Sequence, residues 1–242
     1  MVVRKGYLLS KFIWCNLNEI KIASKIFDGI SKVYDFFLNF ATGGQIKKWQ
    51  MYLISNTPIK KFVADLGTGT GEIIRIVKEN NKYTKCIGVD LSFKMLKIAE
   101  NKLKDYEDVL FVRASILELP IKDNTMDNIF FSLTLRHLDV KKTLNEVNRV
   151  LSKNGYVSIL EIGKPKSEKF YKFILFFGDK IFRPFGRLIF SKEEYDYFID
   201  SIRNSLTMEQ LEEILKRYGF EKHKTKSFLF GIVMVIIYKK QN

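Results

Sequence analysis

Apolar residues between positions 62 and 161 alternate between short continuous runs and segments where they recur every three or four residues. The runs Phe62–Leu66, Lys85–Asp90, Val109–Ala114, Asn128–Leu135 and Tyr156–Glu161 predict strands buried on both faces. The segments between them predict helices. Glu72–Asn80 carries Ile73, Ile74, Ile76 and Val77 inward, and Ser92 is placed to cap a helix bearing Met95, Leu96, Ile98, Ala99 and Leu103. Val140–Lys153 is amphipathic and is expected to stop at Asn154-Gly155 in a left-handed turn. Strands alternating with helices at this length imply a parallel sheet covered on both faces, with ligands bound beyond the carboxyl ends of its strands.

The flanks break this rhythm. Residues 19 to 55 read as helical, with Phe27, Ile30, Val33, Tyr34 and Phe37 at helix spacing, and are placed to cover the sheet edge or a bound cofactor. Residues 164 to 205 interleave Phe170, Tyr171, Phe173, Phe176, Phe177, Phe182, Phe185 and Phe190 with Lys172, Lys180, Arg183 and Arg187. Such a stretch suits a lid over an apolar substrate, a membrane-surface element, or a helical insertion whose aromatics pack inward. Thr207-Met-Glu-Gln210 is a capping box opening a helix that ends at Gly219, and His223–Leu229 and Ile232–Tyr238 read as a hairpin across Gly231. The expected organisation is one domain. It has a helical cover over 1–55, an α/β core over 56–163 and 206–242, and a lid or substrate insertion over 164–205.

The chemistry concentrates in Asp65-Leu-Gly-Thr-Gly-Thr-Gly71, directly after the first strand, and in Asp90, which closes the second. Glycines let a strand-to-helix turn adopt positive φ and bring backbone against a ligand. An acid at the next strand end can take both hydroxyls of a ribose. A dinucleotide loop has G-x-G-x-x-G, its third glycine lying against a pyrophosphate. Here that position is Glu72, whose carboxylate repels a pyrophosphate but not a cation. S-adenosylmethionine, with one ribose, no phosphate and a positive sulfonium, suits the loop better. Asp65 is a candidate to bond water or the cofactor's methionine amino group, whereas Asp127 reads as structural.

Charge changes the picture more than size does. The 242 residues carry a formal net charge of +14, which implies attraction to nucleic acid or to membrane headgroups without choosing between them. Cys15 and Cys86 give no disulfide framework, and His137 and His223 with no Cys/His cluster argue against a metal. Tyr7–Leu17 lacks the marks of a secretory signal and Phe228–Tyr238 is too short to span a bilayer, so a cytoplasmic protein is expected.

The chain resembles the S-adenosylmethionine-dependent C-methyltransferases of ubiquinone and menaquinone biosynthesis (UbiE-type), from about Ile26 to the C-terminus. The resemblance is carried by Phe27-Asp-Gly-Ile-Ser-Lys-Val-Tyr-Asp35 with Trp49, by the glycine loop through Glu72, and by Asp90-Leu-Ser-Phe-Lys-Met-Leu96. Further blocks are Leu119-Pro-Ile-Lys-Asp-Asn-Thr-Met-Asp127, Ser132-Leu-Thr-Leu-Arg-His137, Arg149-Val-Leu-Ser-Lys-Asn-Gly155 and Leu160-Glu-Ile-Gly-Lys-Pro165. The most family-specific is Tyr195-Asp-Tyr-Phe-Ile-Asp-Ser-Ile-Arg203, followed by Gly219-Phe220 and the Gly231-Ile-Val terminus.

The resemblance implies a class I methyltransferase (Rossmann-like) α/β fold, with a seven-stranded sheet, helices on both faces and the last strand antiparallel. It implies that Gly67, Thr68, Gly69, Thr70 and Gly71 follow the methionine and ribose of the cofactor. Asp90 would take the ribose hydroxyls, Ser115 and Ile116 would lie beside the adenine, and Ser132 would stand at the end of the fourth strand. By their apolar character Leu91 and Met95 suit either the adenine face or the core, the core being the more ordinary place for them. Arg136 and His137 stand where the family places an Arg-Asn pair against the quinol, so Arg136 is expected to stabilise a phenolate. His137 departs from the family Asn and brings a group that titrates near neutral pH. Tyr34 matches a tyrosine expected to close over the active site, and Glu161 is a weaker polar candidate. The implied substrate is a lipophilic, polyprenylated quinol met at the membrane surface, and a homo-oligomer is left open. The rivals are a methyltransferase of another small molecule or of RNA, and a non-catalytic assembly factor; nucleic acid is disfavoured because no RNA-binding module or amino-methylating motif is present.

Overall fold

The computed structural model describes residues 26–165, 167–177, 180 and 191–241. The apolar runs become strands β1 (Phe62–Leu66), β2 (Lys85–Asp90), β3 (Val109–Arg113), β4 (Met126–Ser132) and β5 (Leu151–Ile162), joined by β6 (Phe220–Phe228) and β7 (Val233–Lys240). They form one seven-stranded sheet in the order β3-β2-β1-β4-β5-β7-β6. Strands β1 to β5 pair in parallel, and β7 runs antiparallel to both β5 and β6. This is the α/β architecture the alternation and the resemblance imply, with β7 the reversed strand.

Residues 26–30 are helical, and eight further helices have both ends described: α1 (Tyr34–Ala41), α2 (Gln45–Ser55), α3 (Glu72–Asn80), α4 (Phe93–Lys102), α5 (Val140–Val150), α6 (Glu168–Phe177), α7 (Lys192–Arg203) and α8 (Met208–Arg217). Alternate residues of each strand feed the two faces of the sheet. Ala64 and Leu66 of β1, with Met234, Ile236 and Tyr238 of β7, pack against Leu144, Val147, Leu211 and Leu215 of α5 and α8. Val63, Val235 and Ile237 face the other way, against Leu53 of α2 and Ile73, Ile76 and Val77 of α3. Two caps read from sequence are made: Ser92 Oγ accepts from the Met95 amide at the start of α4, and Thr207 and Gln210 form a reciprocal box opening α8.

One boundary differs. Helix α5 ends at Val150 and the chain passes directly into β5, while the left-handed residue is Asn154 (φ 60°), inside β5. The pairing of β4 with β5 shifts between Met126 and Asn128 there, so the turn residues absorb an irregularity in the strand rather than stopping a helix. The fourth strand also ends earlier than expected, at Ser132; Leu133 has φ 60° and Leu135–His137 is a single 3₁₀ turn.

The polar clamps of the amino-terminal segment are specific. Asp28 Oδ1 accepts from Ser92 Oγ (2.5 Å) and from the Lys94 amide (3.1 Å), and Asp35 Oδ1 accepts from Thr70 Oγ1 (2.7 Å). Residues 26–41 therefore lie against the amino end of α4 and the glycine loop. In the 164–205 segment, α6 and α7 are described; Phe182, Phe185, Phe190, Arg183 and Arg187 lie outside the described residues, as do Cys15 and Tyr7–Leu17. No helix among the described residues is long and apolar enough to cross a membrane.

Candidate active site

The order of the sheet reverses between β1 and β4, the place where an open parallel sheet leaves a crevice at its carboxyl edge. A cavity of about 810 Å³ opens there. Its wall includes the site residues singled out from the sequence except Gly71, the weaker candidate Glu161 and Asp127. Gly71 sits one step behind, as the left-handed residue before α3 (φ 81°).

At Gly67 the glycine loop makes a contact that tolerates no side chain. Gly67 has φ 75°, and a Cβ there would stand 2.3 Å from Thr134 Cγ2. Thr134 Oγ1 donates to the Gly67 carbonyl at 3.3 Å, so β1 and the turn after β4 meet through that glycine. Asp65, at the end of β1, is 1% exposed. Its Oδ2 accepts from Thr68 Oγ1 at 2.7 Å and its Oδ1 has no hydrogen-bond partner. Burial raises its carboxyl to about 7, with the Thr68 hydrogen bond pulling the other way. Asp90 closes β2; its Oδ2 accepts from the Gly69 amide and its Oδ1 from the Ser92 amide, both at 2.8 Å. Burial raises its carboxyl too, and those amides oppose the rise. The Leu91 amide also bonds this carboxylate, which keeps acceptor capacity beyond the three amides.

Glu72, the carboxylate at the third-glycine position, is paired: it accepts from Arg75 Nε and Nη2 and from Lys102 Nζ (2.5 Å), which also reaches Asp35. Burial works against its ionised form, yet those cations hold the carboxyl below its ordinary value. The charge is compensated by Arg75 and Lys102, while Asp65 and Asp90 line the cavity with no cation paired to them among the described ion pairs.

At the other end stand Arg136 and His137, on the 3₁₀ turn after β4. Arg136 is not a free cation. Its Nη1 donates to Glu161 Oε1 (2.5 Å) and to the Leu133 carbonyl (2.8 Å), and its Nε donates to Ser201 Oγ (3.2 Å). The Arg136 and Glu161 side chains are 4% and 3% exposed. His137 Nδ1 lies 3.0 Å from Tyr197 Oη, the two rings stack at 5.3 Å, and Phe27 meets the imidazole edge-on. His137 Nε2 is buried without a partner. Burial, reinforced by Arg136, holds the imidazole well below its ordinary value, so it is neutral rather than titrating near pH 7. Tyr34 packs edge-on to Phe27, and burial raises its phenol to about 12 despite Arg136, so it stays protonated.

Ser115 and Ile116 follow β3, with Ser115 Oγ accepting from the Leu117 amide, and Leu91 gives its carbonyl to Arg113. Ser132 Oγ accepts from Gln50 Nε2 at 3.3 Å. Gln50, Thr134, Tyr197, Ser201 and Asn204 line the cavity without having been singled out. The late block at 195–203 was the available signal for Tyr197 and Ser201; Gln50 reads as an ordinary polar position on a helix. Asp127 is structural, accepting from the Phe62 amide and from Ser152.

An orphaned, buried carboxylate oxygen beside a turn of glycines fits an ammonium or sulfonium cation. A second strand-end acid with spare acceptor capacity fits a ribose. Adenosyl and methionine portions together match this donor set without a phosphate.

The model of the ubiE/COQ5 methyltransferase family matches residues 15–240. The chain is 35% identical over 207 residues to a demethylmenaquinone methyltransferase of Thermotoga maritima, covering 83% of this chain and 89% of that protein. It is 30% identical over 224 residues to one of Staphylococcus aureus (strain JH9), covering 90% and 93%. Among solved structures it is similar to an S-adenosylmethionine-dependent methyltransferase of Thermotoga maritima described as a possible histamine N-methyltransferase (TM-score 0.65, 18% identity, 90% of this chain and 99% of that one). It is equally similar in fold to the [4+2]-cyclase SpnF (TM-score 0.67, 15% identity, 90% and 95%).

Proposed function

We propose that this chain, which belongs to the ubiE/COQ5 methyltransferase family and is an S-adenosylmethionine-dependent methyltransferase, methylates a ring carbon of a polyprenylated quinol of the demethylmenaquinol type at a membrane surface. The observation that carries the reading is the pairing, in one cavity, of the orphaned Asp65 oxygen with the unpartnered His137 Nε2.

Asp65 and the loop from Gly67 to Gly71 hold the methionine portion of the cofactor, Asp90 the ribose hydroxyls, and Leu91, Ser115 and Ile116 the adenine, with Ser132 and Gln50 between the two ends. When bound, the cofactor supplies an electrophilic methyl on a good neutral leaving group. The protein's part is then to orient a ring carbon in line, exclude water and raise that carbon's electron density.

In this reading His137 carries its proton on Nδ1 and donates it to Tyr197 Oη, which leaves Nε2 as an acceptor. That acceptor takes a hydrogen bond from a quinol hydroxyl and pushes density into the ring. A neutral imidazole of depressed pKa does this without keeping the proton. Arg136 gives the turn its shape through Glu161 and adds positive potential near the developing phenolate. The ring hydrogen leaves as a proton to water once the new carbon–carbon bond is made. Tyr34 and Phe27 close the amino-terminal wall over the ring.

Incubation with methyl-labelled S-adenosylmethionine and reduced membrane lipid extract, followed by mass spectrometry, tests the reading. A labelled, methylated prenylquinol supports it; label found only on RNA or on a water-soluble amine overturns it.

A further inference from the structure

The turn joining β6 to β7 places three consecutive residues, Leu229, Phe230 and Gly231, at φ 50°, 54° and 94°. Glycine takes that conformation freely, but a leucine and a phenylalanine in sequence are strained in it. The strain yields no burial. Leu229 is 50% and Phe230 87% exposed. Folding alone favours asparagine or glycine at such positions, so the apolar pair is held outward for another purpose.

Its surroundings say which. The Phe230 ring meets Phe170 of α6 edge-on at 5.5 Å, and Phe173 and Phe176 on the same helix are 59% and 60% exposed. The patch is bordered by cations. Lys226 lies over the Phe228 ring on the strand entering the turn, Lys164 lies over Tyr171 of α6, and Lys169 is exposed between them and Phe170. Glu168, the acid on this stretch of α6, is paired with Lys172. The patch also adjoins the cavity. Tyr171 Oη donates to the Arg203 carbonyl at the end of α7, beside Ser201 and Asn204 of the cavity wall.

We propose that Leu229 and Phe230, with Phe176, form a wedge that inserts into the headgroup and upper acyl region of an anionic lipid bilayer, beside the mouth of the active site. Apolar side chains set among lysines match that interface on both counts, burying carbon surface while the ammonium groups meet anionic headgroups. The inference deepens the prenylquinol reading by locating where a lipid-borne substrate meets the enzyme, but its test does not require turnover.

The full chain carrying Phe230→Trp is mixed with vesicles of phosphatidylglycerol and phosphatidylcholine, and separately with phosphatidylcholine alone. A blue-shifted emission that lipids brominated along the acyl chain quench, stronger with the anionic vesicles, is expected. The double variant Leu229→Asn, Phe230→Asn is expected to partition to anionic vesicles at least about tenfold more weakly. It is also expected to melt at a higher temperature, because asparagine accepts the left-handed region. Unshifted tryptophan emission overturns the proposal, as does vesicle binding that the double variant leaves intact, which is binding by charge alone. So does concentration-dependent self-association abolished by the double variant, which assigns the patch to a second copy. If wedge insertion is found but no quinol is methylated, the surface stands and the substrate reading falls.

Discussion

Replacing Asp65 by Asn separates the stability of the fold from the chemistry of its cavity. Burial holds the carboxyl at about 7 against 3.8 in an exposed aspartate. At 1.36 kcal/mol per pH unit, that displacement is worth at most about 4 kcal/mol. Below pH 3.8 both folded and unfolded chains keep the proton and nothing is lost. Between 3.8 and about 7 the unfolded chain releases it while the folded chain retains it, so stability falls as pH rises; above about 7 the loss is complete. Asparagine has no such slope and still accepts from Thr68 through its side-chain oxygen. Urea unfolding of the cofactor-free proteins is expected to find Asp65→Asn gaining about 2 kcal/mol on the wild type between pH 5 and pH 7. Calorimetry at pH 8 is expected to find S-adenosylmethionine binding weakened by about tenfold or more, the loss of one charged hydrogen bond to a cation. A variant that is no more stable at high pH, or that binds the donor as tightly, refutes the assignment of Asp65 as a buried charge awaiting its counter-ion.

Glu161→Gln leaves the buried Arg136 guanidinium without its partner, and chemical denaturation should record a loss of about 3–5 kcal/mol. His137 is kept neutral by burial, so below its ordinary 6.5 the unfolded chain takes up a proton that the folded chain refuses. Wild-type stability should therefore fall toward acid by about 1.4 kcal/mol per pH unit from this group, and His137→Asn should flatten that slope in unfolding curves between pH 6.5 and pH 5. Gly67→Ala drives a methyl into Thr134 at a positive φ, and is expected to cost about 2 kcal/mol or more in thermal unfolding and to abolish donor binding by calorimetry.

What could be read from residue order alone is what physics makes local. The strands were legible because a parallel sheet buried on both faces needs unbroken apolar runs, and Val63, Ala64 and Leu66 are fully buried. The glycine loop was legible because Gly67 has no alternative against Thr134. Asn154 was recognised as left-handed yet put at the wrong place, since its effect depends on how β5 pairs with β4, which neighbours in sequence do not record. Glu72 looked like a bare carboxylate because its neutralising partner Lys102 sits 30 residues away and bridges to Asp35, 67 residues from Lys102. The partners of Arg136 were not legible either, because Glu161 and Ser201 reach it only across the fold. Gln50 carries no pattern beyond its position on an amphipathic helix, whereas Tyr197 lies in the 195–203 block that carries the resemblance.

The central claim is that a sulfonium donor held over the Asp65–Gly71 turn gives its methyl to a ring carbon. It is tested most directly with carbon-13 methyl S-adenosylmethionine and a synthetic prenylquinol deuterated at its free ring position, the product being followed by NMR and mass spectrometry. The account predicts a ring-bound carbon-13 methyl and loss of the ring deuterium in equal amount. A methyl on oxygen, with the deuterium retained, would contradict it.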